Sequence, residues 1–127
     1  AECLLALGEL DEACRVCQDT IILAEEGGDR FHAALAHRIL AESLSRLRPF
    51  DSQWPQREIL EAIRIQQEIG ARPELARSYV SYAHVLTGRG EKEKAKEYLA
   101  RAIGMFQQMG MTWDLAQADQ LLRNLKI

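Results

Sequence analysis

Apolar side chains recur along this chain in steps of three and four. In one block Leu75, Tyr79, Tyr82 and Leu86 step by 4, 3 and 4, and in the next Ala95, Leu99, Ala102, Ile103 and Phe106 keep the same spacing. That period puts one apolar stripe on each helix and turns the charges to the opposite face. No stretch alternates with the period of two that marks a strand. The pattern predicts seven helical segments: a stub at 1–7, then 10–26, 29–47, 54–69, 73–88, 92–109 and 112–126. Glycine punctuates them. A helix often ends in a left-handed residue just past its last turn, and only glycine takes that conformation without Cβ strain. Helix-start residues follow: Asp29, Pro73 in a first turn where its missing N–H costs nothing, and Thr112 as a cap.

The segments repeat. Gly28-Asp-Arg-Phe-His-Ala-Ala34, Gly70-Ala-Arg-Pro-Glu-Leu-Ala76 and Gly110-Met-Thr-Trp-Asp-Leu-Ala116 each carry Gly first, a ring-bearing residue fourth and Ala seventh. Their starts lie 42 and 40 residues apart (70 − 28 and 110 − 70). The stretches before them also match: 20–28, 62–70 and 102–110 each run from a hydrophobic helix end into a glycine turn. LGELDEA at 7–13 aligns with GRGEKEKA at 88–95, which predicts a turn at Gly8 like the one at Gly88-Arg89-Gly90. In the middle copy LRPFDSQWP, residues 47–55, replaces the tight turn and accounts for the two extra residues.

Small residues recur where helices would cross: Ala41 and Ala83, Ala13 and Ala95, Ala62 and Ala102. A methyl group there lets helix axes approach to about 8–10 Å. One hairpin cannot cover its own apolar faces, so the copies are expected to cohere as a linear array.

Composition agrees with a globular domain. The chain has 127 residues, 47% hydrophobic and 28% charged, with 16 Lys+Arg against 19 Asp+Glu. The signs are mixed along the chain, which argues against the clustered positive face of a nucleic-acid binder. No apolar run approaches the ~18 residues of a membrane span. Three cysteines make a disulfide framework unlike this chain and suggest a reducing, cytoplasmic setting. The opening AECLLALGELDEA lacks an initiator Met and reads as a fragment cut from a larger protein.

In Ala76 to Phe106 the small residue at the eighth position is Ala83, the large one at the eleventh is Leu86, the turn glycine is Gly90, and the second-helix alanines are Ala95 and Ala102. In these residues the chain resembles the tetratricopeptide repeat family, with Tyr82 where that family often has Leu. The resemblance covers this repeat and Ala34–Gly70 with its insertion, then half a repeat at 1–27 and a lone first-type helix at 112–126. The period of 40–42 exceeds the usual 34. It looks like the long-period variety of bacterial multidomain regulators and cyclase C-terminal regions. A HEAT-type solenoid, with a period of ~40–47, is the runner-up. Small residues at fixed helix positions favour the tetratricopeptide reading. The expected fold is therefore all-α, a right-handed α-solenoid of stacked antiparallel helical hairpins. It forms one domain: a partial repeat at 1–27, repeats at 28–69 and 70–109, and a terminal helix at 110–127.

Candidate chemistry is sparse. Cys14-x-x-Cys17, with Cys3, lacks the fourth ligand zinc needs and the helix-start, βαβ setting of a redox pair. Packing cysteines at i,i+3 is the favoured reading. His32 and His37 are five apart and share no helix face as a metal pair would. Trp54 reads as a plug for the inserted loop, and Met105, Met109, Met111 and Trp113 as packing of the last helix onto the preceding hairpin. The EKEKAKE run at 91–97 reads as a solvated face, with Glu97 and Arg101 an i,i+4 pair. Gly88-Arg89-Gly90 lacks the Lys-Ser/Thr and the strand of a phosphate loop. No spacing suggests a nucleophile triad or a carboxylate pair, so no enzyme activity, metal or cofactor is expected.

The resemblance implies a scaffold that binds a peptide or protein segment in a concave groove lined by the first helix of each hairpin. Carried over by position, the groove residues are Leu35, Arg38, Glu42, Ser45 and Arg46, then Arg77, Val80, His84 and Thr87, with Gln117 and Gln120 from the final helix. Arg38, Arg46 and Arg77 are expected to fork onto ligand carboxylates, against which Glu42 breaks the positive field. The alternatives are a sensory or regulatory domain that binds a small effector and a module that self-associates through uncapped repeat ends.

Overall fold

The computed structural model describes the backbone of residues 2–47 and 53–126, and the side chains of 8, 9, 11–44 and 53–125. Among these residues the chain forms six helices: α1 (Glu2–Glu26), α2 (Arg30–Leu47), α3 (Trp54–Ile69), α4 (Arg72–Gly88), α5 (Lys92–Met109) and α6 (Thr112–Lys126). The protein is all-α, and each helix packs antiparallel on the next in sequence; α2 also touches α4.

The glycine turns have one construction. Gly28, Gly70, Gly90 and Gly110 all have φ between 68° and 81°. In each case the next residue's N–H reaches back five residues to a helix carbonyl. The four bonds are Asp29 to Ala24 (2.7 Å), Ala71 to Gln66 (3.0 Å), Glu91 to Leu86 (2.9 Å) and Met111 to Phe106 (3.0 Å). This is the Schellman closure, which satisfies carbonyls that the helix end leaves open. Asp29 then caps α2, accepting from the His32 N–H at 3.1 Å. Thr112, expected as a cap, is instead the first residue of α6 itself.

One predicted turn does not form. The stub and the second segment are a single helix, α1, which runs unbroken through Gly8. That reduces the expected seven segments to six. The aligned turn at 88–90 has two glycines, and it is the second, Gly90, that takes a φ of 81°. Gly8 stands alone among Leu, Ala and Glu, good helix formers that offset the ~1 kcal/mol an interior glycine costs. The inserted loop falls mostly on residues 48–52, outside the described residues.

The core follows the alanine pattern. Ala41, Ala62, Ala83, Ala95 and Ala102 are buried at the helix crossings, while Ala13 is half-buried. Around them pack Ile59, Tyr82, Leu86, Leu99 and Phe106, all fully buried. Each such side chain contributes about 1.5–3 kcal/mol by leaving water. Tyr98 of α5 meets Tyr79 and Tyr82 of α4 with ring centroids 5.5 and 4.7 Å apart. A second cluster joins Cys14, Cys17 and Ile21 of α1 to Leu40 and Leu44 of α2, with Trp54 against it. Trp54 also donates from Nε1 to Glu58 Oε1 at 3.0 Å, one turn along α3.

Candidate functional site

Helical register carries three sets of side chains to one place. Arg38 and Glu42 lie one turn apart on α2; Arg77, Val80, Ser81 and His84 share a face of α4. Trp113, Asp114, Gln117 and Leu121 share a face of α6. Together they line an open cleft of about 410 Å³. Six of the expected groove residues therefore meet: Arg38, Glu42, Arg77, Val80, His84 and Gln117.

Of the remaining five, Leu35, Thr87 and Gln120 do not join them. Leu35 turns toward α1 and lines a separate apolar groove with Val16, Cys17 and Ile39. Thr87 lies beyond the cleft at the end of α4, its hydroxyl donating to the Ala83 carbonyl at 2.8 Å. Gln120 points to solvent and donates to Asn124 at 3.1 Å along its own helix. The side chains of Ser45 and Arg46 lie outside the described residues.

The cleft floor is an ion-pair ladder that crosses the three helices. Arg38 Nη1 donates to Glu42 Oε1 at 3.0 Å, and its Nη2 lies 3.7 Å from Glu74. Arg77 donates from Nη1 to Glu74 at 2.9 Å and from Nε to Asp114 at 3.3 Å. Ser81 donates to Glu42 at 2.6 Å. Two guanidiniums thus serve three carboxylates, and the ladder is formally one charge negative. The Asp114 hydrogen bond, with the nearby Glu74 charge, holds the Arg77 guanidinium above its ordinary pKa.

Two of the arginines expected to meet a ligand, Arg38 and Arg77, are thus paired with carboxylates of their own chain. Sequence spacing hides this. Glu74 lies 36 residues beyond Arg38, and Asp114 lies 37 beyond Arg77, so each becomes a partner only through helix packing.

Trp113 is the other departure. Met105, Met109 and Met111 pack against the core as expected, but Trp113 is 72% exposed and stands at the cleft rim. Trp113 is the ring-bearing fourth residue, equivalent to Phe31 and Pro73, and both of those are exposed too.

Elsewhere the candidate chemistry resolves into packing. Cys14 and Cys17 are free and buried, and burial pushes both thiols up from their ordinary pKa. His32 bonds Asp29 at 2.6 Å at the start of α2. His37 is buried against Glu58, which also receives the Trp54 indole. The 91–97 run is a wet face, with Lys96 paired to Glu93 and Arg101 to Glu97. Among the described residues no group of three or more His, Cys, Asp or Glu is arranged to hold a metal ion. Among them, too, no helix is long and apolar enough to cross a membrane. No protein-family model matches the chain, and a comparison with curated proteins finds no significant relative.

Proposed function

We propose that this chain is a tetratricopeptide-type solenoid that acts by binding rather than catalysis. It holds a peptide or protein segment in the cleft between α2, α4 and α6. The observation that carries the reading is the convergence of side chains from α2, α4 and α6, helices that recur about forty residues apart, on one open cleft. An exposed indole at the rim supplies the kind of rigid aromatic anchor that dominates binding surfaces. The ladder sets the preference. With its arginines already neutralised and one carboxylate in excess, the cleft favours neutral or basic segments over acidic ones.

Selection of random peptides on the wild-type chain tests this, with Trp113→Ala as the counter-selection. Enriched peptides should bind the wild type at least about tenfold more tightly than the variant, the scale of a buried aromatic anchor. Absence of enrichment, or enrichment of acidic peptides alone, overturns it.

A second reading, self-association, is favoured by the outer face of α1. There Ile22 and Leu23 are large, apolar and 54–69% exposed. Sedimentation equilibrium should show a concentration-dependent mass that Leu23→Lys abolishes.

A further inference from the structure

Beside the ladder, between α4, α5 and α6, lies a second hollow of about 320 Å³. Val80, Ala83, Leu99, Leu121 and Leu125 form its walls. Its rim carries His84, Thr87, Lys92 and Asn124.

The internal repeat explains why the hollow exists. Val80 stands 42 residues after Arg38, at the same place in the next copy. Arg38 fills its own position with a long side chain, 17% exposed and held by Glu42 and Glu74. Val80 has no such reach, so the equivalent space stays open and apolar. The charge changes as well. His84 replaces the acid Glu42 of the earlier copy, and among the described residues no carboxylate lines the hollow.

The rim is furnished with donors. Lys92 makes no ion pair among the described residues. Its acidic neighbours are engaged elsewhere, Glu91 with Arg89 at 3.6 Å and Glu93 with Lys96 at 3.2 Å. The Asn124 carbonyl accepts from Gln120 at 3.1 Å, which leaves its NH₂ to donate.

We propose that this hollow binds a small amphiphilic monocarboxylate, with its alkyl tail against Val80, Leu99 and Leu121 and its head group at Lys92. An apolar chamber with a few convergent polar groups at one end is the usual form of a small-molecule site. At the ~30 Å³ that one water-sized unit occupies in a liquid, the hollow takes about ten non-hydrogen atoms, the size of octanoate. The proposal does not rest on peptide binding in the cleft, although Val80, His84 and Leu121 border both spaces.

The test is a titration of the isotope-labelled whole chain, followed by amide shifts, with sodium octanoate and octan-1-ol as probes. Octanoate should give saturable shifts at the end of α4, in the first half of α5 and in the second half of α6. It should bind about three- to fivefold more tightly than the alcohol, the effect of one partly solvated charge pair. Lys92→Gln should remove that preference. Val80→Arg, which restores the filling residue of the earlier copy, and Leu121→Arg should each abolish binding while leaving the helical signal unchanged. If both arginine variants unfold, contacts between the octanoate methyl and Leu99 or Leu125 in the wild type decide the matter, since their absence overturns the site. The proposal is also overturned by no saturation up to about 5 mM, by shifts that map to α1 and α2, or by a Lys92→Gln chain that still prefers the acid.

Discussion

Glu74 is the acid that joins the two halves of the ladder, and replacing it with glutamine is the sharpest test of that network. Arg77 lies 2.9 Å from it and Arg38 3.7 Å, and its side chain is 16% exposed. Glutamine keeps the size and one carbonyl acceptor but removes the charge. Neither arginine is stranded, because Arg38 keeps Glu42 and Arg77 keeps Asp114. The cost of an uncompensated buried charge, about 3–5 kcal/mol, therefore does not apply. What is lost is two ion pairs at the edge of solvent, each worth up to about 1 kcal/mol, with the Arg77 side 40% exposed and the weaker of the two after screening. The expected destabilisation is about 1–1.5 kcal/mol. For a domain of this size that lowers Tm by roughly 4–6 °C. Urea unfolding followed by far-UV circular dichroism should show a lower midpoint with an unchanged slope. A cycle with Arg77→Ala should give a coupling of about 0.5–1 kcal/mol that weakens near ~1 M salt, where the screening length is ~3 Å. A Glu74→Gln chain within about 0.3 kcal/mol of the parent, or a strictly additive cycle, would refute the ladder as a connection between α2, α4 and α6.

Other expectations rest on different parts of the fold. Phe106 is 1% exposed in the core between α4, α5 and α6, so Phe106→Ala should cost about 3–5 kcal/mol in urea unfolding. The two kinds of glycine should answer oppositely to alanine. Gly70→Ala forces a Cβ onto a φ of 71° and should destabilise by about 1–2 kcal/mol. Gly8 lies within an unbroken helix, and a Cβ added there would meet nothing within 4 Å, so Gly8→Ala should stabilise by up to ~1 kcal/mol. A destabilised Gly8→Ala chain would show that a turn forms there after all. Cys14, buried and outside the groove that Cys17 lines, should react with a thiol reagent only at the rate of unfolding.

Most of the fold was legible along the chain because its signals are local. The apolar period, the glycine turns and the alanine positions act within a few residues of one another. They therefore predicted α2 to α6 to within a few residues and put Ala41, Ala62, Ala83, Ala95 and Ala102 at buried crossings. The same local rule failed at Gly8, where a single glycine does not do what the pair at 88 and 90 does. Six of the predicted groove residues also meet at one cleft, because α2, α4 and α6 all border it.

Charge partnership between helices was decided only in three dimensions. Arg38 meets Glu74, and Arg77 meets Asp114, each across to a helix two elements further on, and no local pattern pairs them. Nor does one show that Trp113 turns outward while its methionine neighbours turn in. Helix formation depends on bonds between residues four apart, so the sequence alone determined where the helices run. Which charges pair between helices depends on how those helices cross, and that belongs to the tertiary structure.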